Sequence, residues 1–296
     1  MSDAKTEKIS LRNIFARFRA KIILTWFLVI CEAGLLLLFP LFIGIAIDDF
    51  LADSYLGLVQ LAGIGLLSLI VGAGRRFYDT RAYANIYTTI APELVEKEKK
   101  RDASVSVVSA RAGLATEFVE FFENSFPEII NSIIALGGAL LIILFLNFKI
   151  FIACLIVTAV IGLIYSLTST KTYRLNRGYN AELEKRVKVL EQGDKNGVVG
   201  HFKNVMRWNI RLSDLETTNF SLSWVFLIGV LLYAIVAIIE SGVTAHGKVF
   251  SILMYVFNYI ESVITMPLFY QQFVRLKEIS HRLEGLDERQ TPQQDI

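Results

Sequence analysis

Apolar residues gather along the chain in six blocks, at about 22–47, 56–74, 126–146, 148–168, 220–239 and 249–273. Each holds about the 20 residues that cross a hydrocarbon core of about 30 Å. The pattern predicts six transmembrane helices. The first block is too long for the apolar region of a cleaved signal peptide, and no small-residue cleavage site follows it. Connections alternate in length. Three are short, and two run to about fifty residues each, between blocks two and three and between blocks four and five. These two are not loop-like. Residues 75–101 contain one Pro and no Gly, and residues 171–191 contain the single Gly178. Such composition favours helix. Helices two to five are therefore expected to run on past the membrane, by roughly 35–40 Å for twenty-five residues. Turns are expected within 104–113 and within 193–200, where Gly193, Gly197 and Gly200 interrupt the helix pattern.

Composition agrees with that reading. Of 296 residues, 54% are hydrophobic and 20% charged, against about 45–50% and about 25% in soluble domains. The excess sits in the blocks, which excludes a soluble enzyme, a disordered chain and a secreted disulfide-rich one. The net charge of +2 says little, but its placement says more. Twenty-eight of the 30 Lys and Arg lie in the N-terminal segment, the two long connections and the tail, and only Lys149 and Lys248 lie in the short ones. Positive residues mark the inner side, so both termini are expected in the cytoplasm of a plasma membrane, the inner membrane of a bacterium. Leu11, Ile14, Phe15 and Phe18 share a helical face with Arg12, Arg17 and Arg19 elsewhere, which suits a helix in the inner interface leading into the first span. Cys31 and Cys154 lie in separate apolar runs with no partner motif and act as small apolar residues.

Six spans, an elbow helix, small outer loops and two long helical intrusions resemble the six-helix membrane domain of ABC exporters, the type IV fold. Local matches lie at Phe39–Asp48, with Pro40, Gly44 and Asp48; at Ser109–Gly113, where that family turns through its first coupling helix; and at Pro267 and Leu276–Leu283, near the end of the sixth helix. The resemblance implies an all-α membrane domain over 22–284, after a cytoplasmic N-terminus and elbow over 1–21 and before a polar tail over 285–296. It also implies two protomers around a central cavity, with the fourth and fifth helices crossing to the partner. In fused exporters an ATPase domain would follow near Arg282, but here the chain ends at Ile296. No complete G-x-x-x-x-G-K-[ST] occurs. Gly242, Gly247 and Lys248 have its spacing, but Val249 replaces the magnesium-binding hydroxyl. The chain is thus expected not to be an enzyme by itself.

A partner P-loop ATPase would dock at the two turns, near Ser104, Val107 and Arg111 and near Asn196, His201 and Lys203. The alternative is an ATPase-independent transporter of peptides or amphipathic compounds, driven by a proton or ion gradient. That reading needs ionisable groups at membrane depth, where they cost about 2.5–3.5 kcal/mol on insertion scales. Glu32 lies near the middle of the first block. On the sixth, Asn258, Glu261, Ser262 and Thr265 form a polar stripe at helical spacing. These are candidates for a cavity or ion-coupling site, against the simpler reading of a wet vestibule. Arg75, Arg76 and Arg81 are candidates for contact with an anionic substrate or lipid headgroups, or simply the basic flank of the second span. Asp48, Asp49 and Asp53 form the acidic flank of the first. Gly72, Gly74, Gly137 and Gly138 allow close helix approach, and Pro40, Pro127 and Pro267 predict kinks. No metal, cofactor or nucleic acid is expected. The partners expected are a second copy or a paralogue, membrane lipid and the separate ATPase. A third reading, a non-transporting sensor or accessory subunit, keeps the fold without the transport.

Overall fold

The computed structural model describes residues 11–100 and 104–288. They form eight α-helices and one π-helical turn: α1 Leu11–Leu51, α2 Leu56–Lys99, α3 Val105–Glu120, the π turn Phe121–Ser125, α4 Phe126–Leu146, α5 Phe148–Glu184, α6 Arg186–Gln192, α7 Lys195–Glu240 and α8 His246–Glu288. Six of these stretches are long and apolar enough to cross a membrane. Their large side chains remain exposed along the apolar stretches, among them Phe27, Val59, Ile70, Leu163 and Ile239. Exposed apolar surface on this scale is lipid-facing surface.

The chain divides into two compact units, residues 1–141 with 244–296 and residues 142–243. In the first, α1 and α2 form an antiparallel hairpin, and α8 packs on α1. At its foot an aromatic core joins α1, α2, α3 and the π turn through Tyr83, Phe118, Phe121 and Phe122, with Trp26 stacked on Phe126 at 4.8 Å. The elbow expected before the first span is present as a break in α1 at Phe18 (φ −107°, ψ 15°). Its apolar face has a protein destination. Ile14 is buried in the aromatic core, and Phe15 lies 5.3 Å from Trp26.

The π turn ends two residues before Pro127. Proline lacks an N–H, and its ring crowds the carbonyl four residues back, here that of Glu123. A widened turn relieves that crowding without breaking the helix. The first long turn does not lie within 105–113, because Val105 to Gly113 are already helical. The second is confined to Gly193 and Asp194. Gly193 takes φ +67°, the left-handed conformation that ends α6. The Asp194 carboxylate accepts from the N–H groups of Asn196 and Gly197 and starts α7. Gly197 and Gly200 fall inside α7.

In the second unit α5 and α7 pack against each other over most of their length. Ile150, Cys154 and Ile161 are buried on α5, and Leu227, Val230, Ala234 and Ala237 on α7.

Candidate functional site

The antiparallel register of α1 and α2 brings three charged residues together. Arg75 is buried between the two helices, and its Nε donates to Glu32 Oε2. Its Nη1 donates to Asp79 Oδ2 at 2.8 Å. Arg75 and Asp79 are four apart on α2 and so share a face, and Glu32 meets them from α1. Gly72 makes the room. A Cβ there would lie 2.8 Å from Glu32 Oε1. Further along the hairpin, Lys21 Nζ donates to Asn85 Oδ1 at 2.6 Å, and Arg17 Nη1 donates to both carboxylate oxygens of Glu93 at 2.8 and 3.0 Å.

Arg75 is therefore buried, with Nε and Nη1 both donating to carboxylates of the protein itself. Arg76 and Arg81 are exposed. They line a cavity of about 660 Å³ together with Glu32, Gly72, Phe77 and Thr80. Arg81 also donates to the Phe77 carbonyl at 2.8 Å and lies 5.5 Å from the Phe77 ring.

The polar stripe on α8 does not act as one surface. Glu261 is exposed, Ser262 buried, and Asn258 and Thr265 half-buried. The Ser262 hydroxyl donates to the Asn258 carbonyl, and that of Thr265 to the Glu261 carbonyl. Both hydroxyls are thus spent within their own helix. The two carboxylates considered for one site take different surroundings, Glu32 in the Arg75 cluster and Glu261 on an exposed face.

At the second long turn Asn196 and Lys203 are exposed, whereas His201 is buried, its Nδ1 3.3 Å from Glu182 Oε1 on α5. His201 braces the turn from inside. Glu182 lies beyond the apolar stretch of α5, and the hydrogen bond from Lys185 holds its carboxyl below the usual range. At the first turn Ser104 is exposed. Val107 and Arg111 sit on α3, and their side chains lie outside the described residues, as does that of Pro267. Asp48 is structural. Its Oδ1 accepts from the Gly247 N–H at 2.7 Å and so caps α8. That N–H belongs to the near-match for a phosphate loop, so it faces a carboxylate rather than a phosphate.

The reading of the sequence missed Asp79 and Thr25. Asp79 carries a signal, an acid four residues after Arg75 on a helix antiparallel to the one bearing Glu32. Thr25 carries none beyond its place on α1.

Six long apolar helices with paired polar extensions define a multi-pass membrane protein of the transporter type. The family model described as ABC transporter transmembrane region matches residues 11–247, and the chain belongs to that family. A search of curated proteins found no match.

Proposed function

We propose that this chain is the membrane-spanning subunit of an export-like ABC transporter, active as a homodimer or a paralogous heterodimer and energised by a separately encoded P-loop ATPase. The observation that carries the reading is the pair of long helical extensions ending in turns with Ser104 and with Asn196 and Lys203 exposed, in a chain of this family. Extensions of this length have no use to a bundle that ends at the headgroups. They give a soluble motor something to grip. Pairing of α5 with α7 as a unit of its own supports a dimer in which these two helices cross to the partner. Transport is then by alternating access of a cavity between protomers. The inner-membrane location and cytoplasmic termini follow the charge distribution and belong to the same proposal. Affinity capture from native membranes tests it: a stoichiometric nucleotide-hydrolysing subunit is expected, lost when Asn196 and Lys203 are both changed to Glu. Capture of the intact dimer without any such subunit would overturn it.

Charged groups at membrane depth favour one second reading, transport driven by an ion gradient. Acid-driven uptake or efflux in vesicles holding only this chain, lost in Glu261→Gln, would establish that reading instead.

A further inference from the structure

The α1–α2 cluster does not balance. It holds two carboxylates, Glu32 and Asp79, and one guanidinium, Arg75, all three buried. Arg75 gives one edge to each acid, which leaves one negative charge uncompensated inside the helix pair. The other groups facing Asp79 do not supply a cation. Tyr78 and Tyr83 on its own helix are neutral phenols, and Glu123 of the π turn, beyond Tyr83, adds a further acid. Lys21 on α1 is turned to Asn85.

Asp79 is 2% exposed, and its Oδ1, Thr25 Oγ1 (0%) and the Tyr83 hydroxyl (1%) make no hydrogen bond of normal geometry. Thr25 stands beside both Asp79 and Tyr83, and its hydroxyl can donate to or accept from either. An unpaired buried charge is costly. One added proton cancels the excess charge, and Oδ1 then donates to the Thr25 oxygen. Glu32, by contrast, borders the cavity lined by Arg76 and Arg81.

We propose that the Glu32–Arg75–Asp79 cluster is a proton-binding site that holds one proton, carried on Asp79 Oδ1 and directed at Thr25. The proton comes from water and returns to water, and only the O–H bond forms and breaks. It is held while α1 and α2 pack as they do here, and it leaves when a rearrangement of the hairpin admits water to Asp79. The site thus ties the packing of this hairpin to pH. It goes beyond the proposed function and is the same whichever source of energy drives transport, so failure to capture an ATPase leaves it standing.

Infrared spectroscopy of the full-length protein in lipid nanodiscs tests the site through the carbonyl stretch of a protonated carboxyl group. At neutral pH the wild type is expected to show one such band. Asp79→Asn, which keeps the shape, abolishes it. Glu32→Gln also abolishes it, because Asp79 then has the guanidinium to itself, whereas Glu261→Gln leaves it in place. Absence of the band in the wild type, or its survival in Asp79→Asn, overturns the proposal. So does a band that sodium buffer suppresses and choline buffer restores, since the occupant would then be a metal ion. Should Asp79→Asn fail to fold, the wild type and Glu32→Gln decide the question: absence of the band from the first, or its survival in the second, overturns the proposal.

Discussion

The two antiparallel hairpins, α1 with α2 and α5 with α7, are similar in length but are held by different means. The first is laced with charge: Arg17–Glu93, Lys21–Asn85 and the buried Glu32–Arg75–Asp79 cluster. Along its apolar stretch the second uses shape and neutral polarity, with buried Ala234 and Ala237 and one hydrogen bond from Asn219 Nδ2 to Thr168 Oγ1 at 2.9 Å. In lipid, apolar burial between helices gains little over contact with acyl chains, so packing and polar bonds decide association. The first hairpin therefore responds to whatever changes charge, and the second to whatever changes volume.

The largest expected effect comes from removing the shared cation. Arg75→Met leaves the buried acids Glu32 and Asp79 without their cation, and breaking such a pair costs about 3–5 kcal/mol. Unfolding of the purified protein in a detergent titration measures it. Adding Glu32→Gln and Asp79→Asn to Arg75→Met should recover most of the loss, since the penalty lies in the stranded acid charge. A loss below about 1 kcal/mol in Arg75→Met would mean that the cluster is open to water and that charge does not hold this hairpin.

Next comes a change of volume in the second hairpin. A Cβ at Gly178 would lie 2.8 Å from the Trp208 ring, and a rigid ring cannot yield as a flexible side chain can. Gly178→Val is expected to cost about 1–3 kcal/mol. The same unfolding assay should show recovery when Trp208→Leu is added. Lack of recovery would point to a cause within α5 itself.

A smaller effect tests the neutral polar bond. Asn219→Leu removes the bond to Thr168, and interhelical hydrogen bonds in membranes average about 0.6 kcal/mol. A double-mutant cycle with Thr168→Val isolates the pair term. A coupling above about 2 kcal/mol would erase the contrast between the hairpins.

The spans and the two extensions were legible because block length and loop length are direct consequences of bilayer thickness and helix rise. The partners of charged residues were not. Placing Glu32 against Arg75 needs the register of α1 on α2, and that register is set by contacts distant in sequence, such as Tyr83 and Ile86 in the aromatic core. Glu32 and Glu261 looked alike as acids in the middle of apolar blocks, and only the helix facing each one separates them. His201 was misleading for a similar reason. Its place just after a glycine turn suggests an exposed loop, but α7 begins at Lys195 and turns its ring inward to Glu182. The turn after Gly193 was readable because left-handed backbone and an Asp N-cap are local chemistry.

The smallest effect limits the claim that charge holds the first hairpin. Arg17 and Glu93 make a bidentate ion pair, yet their side chains are 50% and 43% exposed. Water and salt screen such a pair, and exposed pairs contribute about 0.2–1 kcal/mol. Arg17→Gln is therefore expected to lower stability by less than about 1 kcal/mol, and the difference should shrink as salt is added. The Arg75→Met effect should not shrink, because its charges are shielded from salt by the helices themselves. If both variants lost their effect in salt alike, the buried cluster would be reached by the bulk ions, and the distinction between a charge-held and a shape-held hairpin would reduce to one of surface charge.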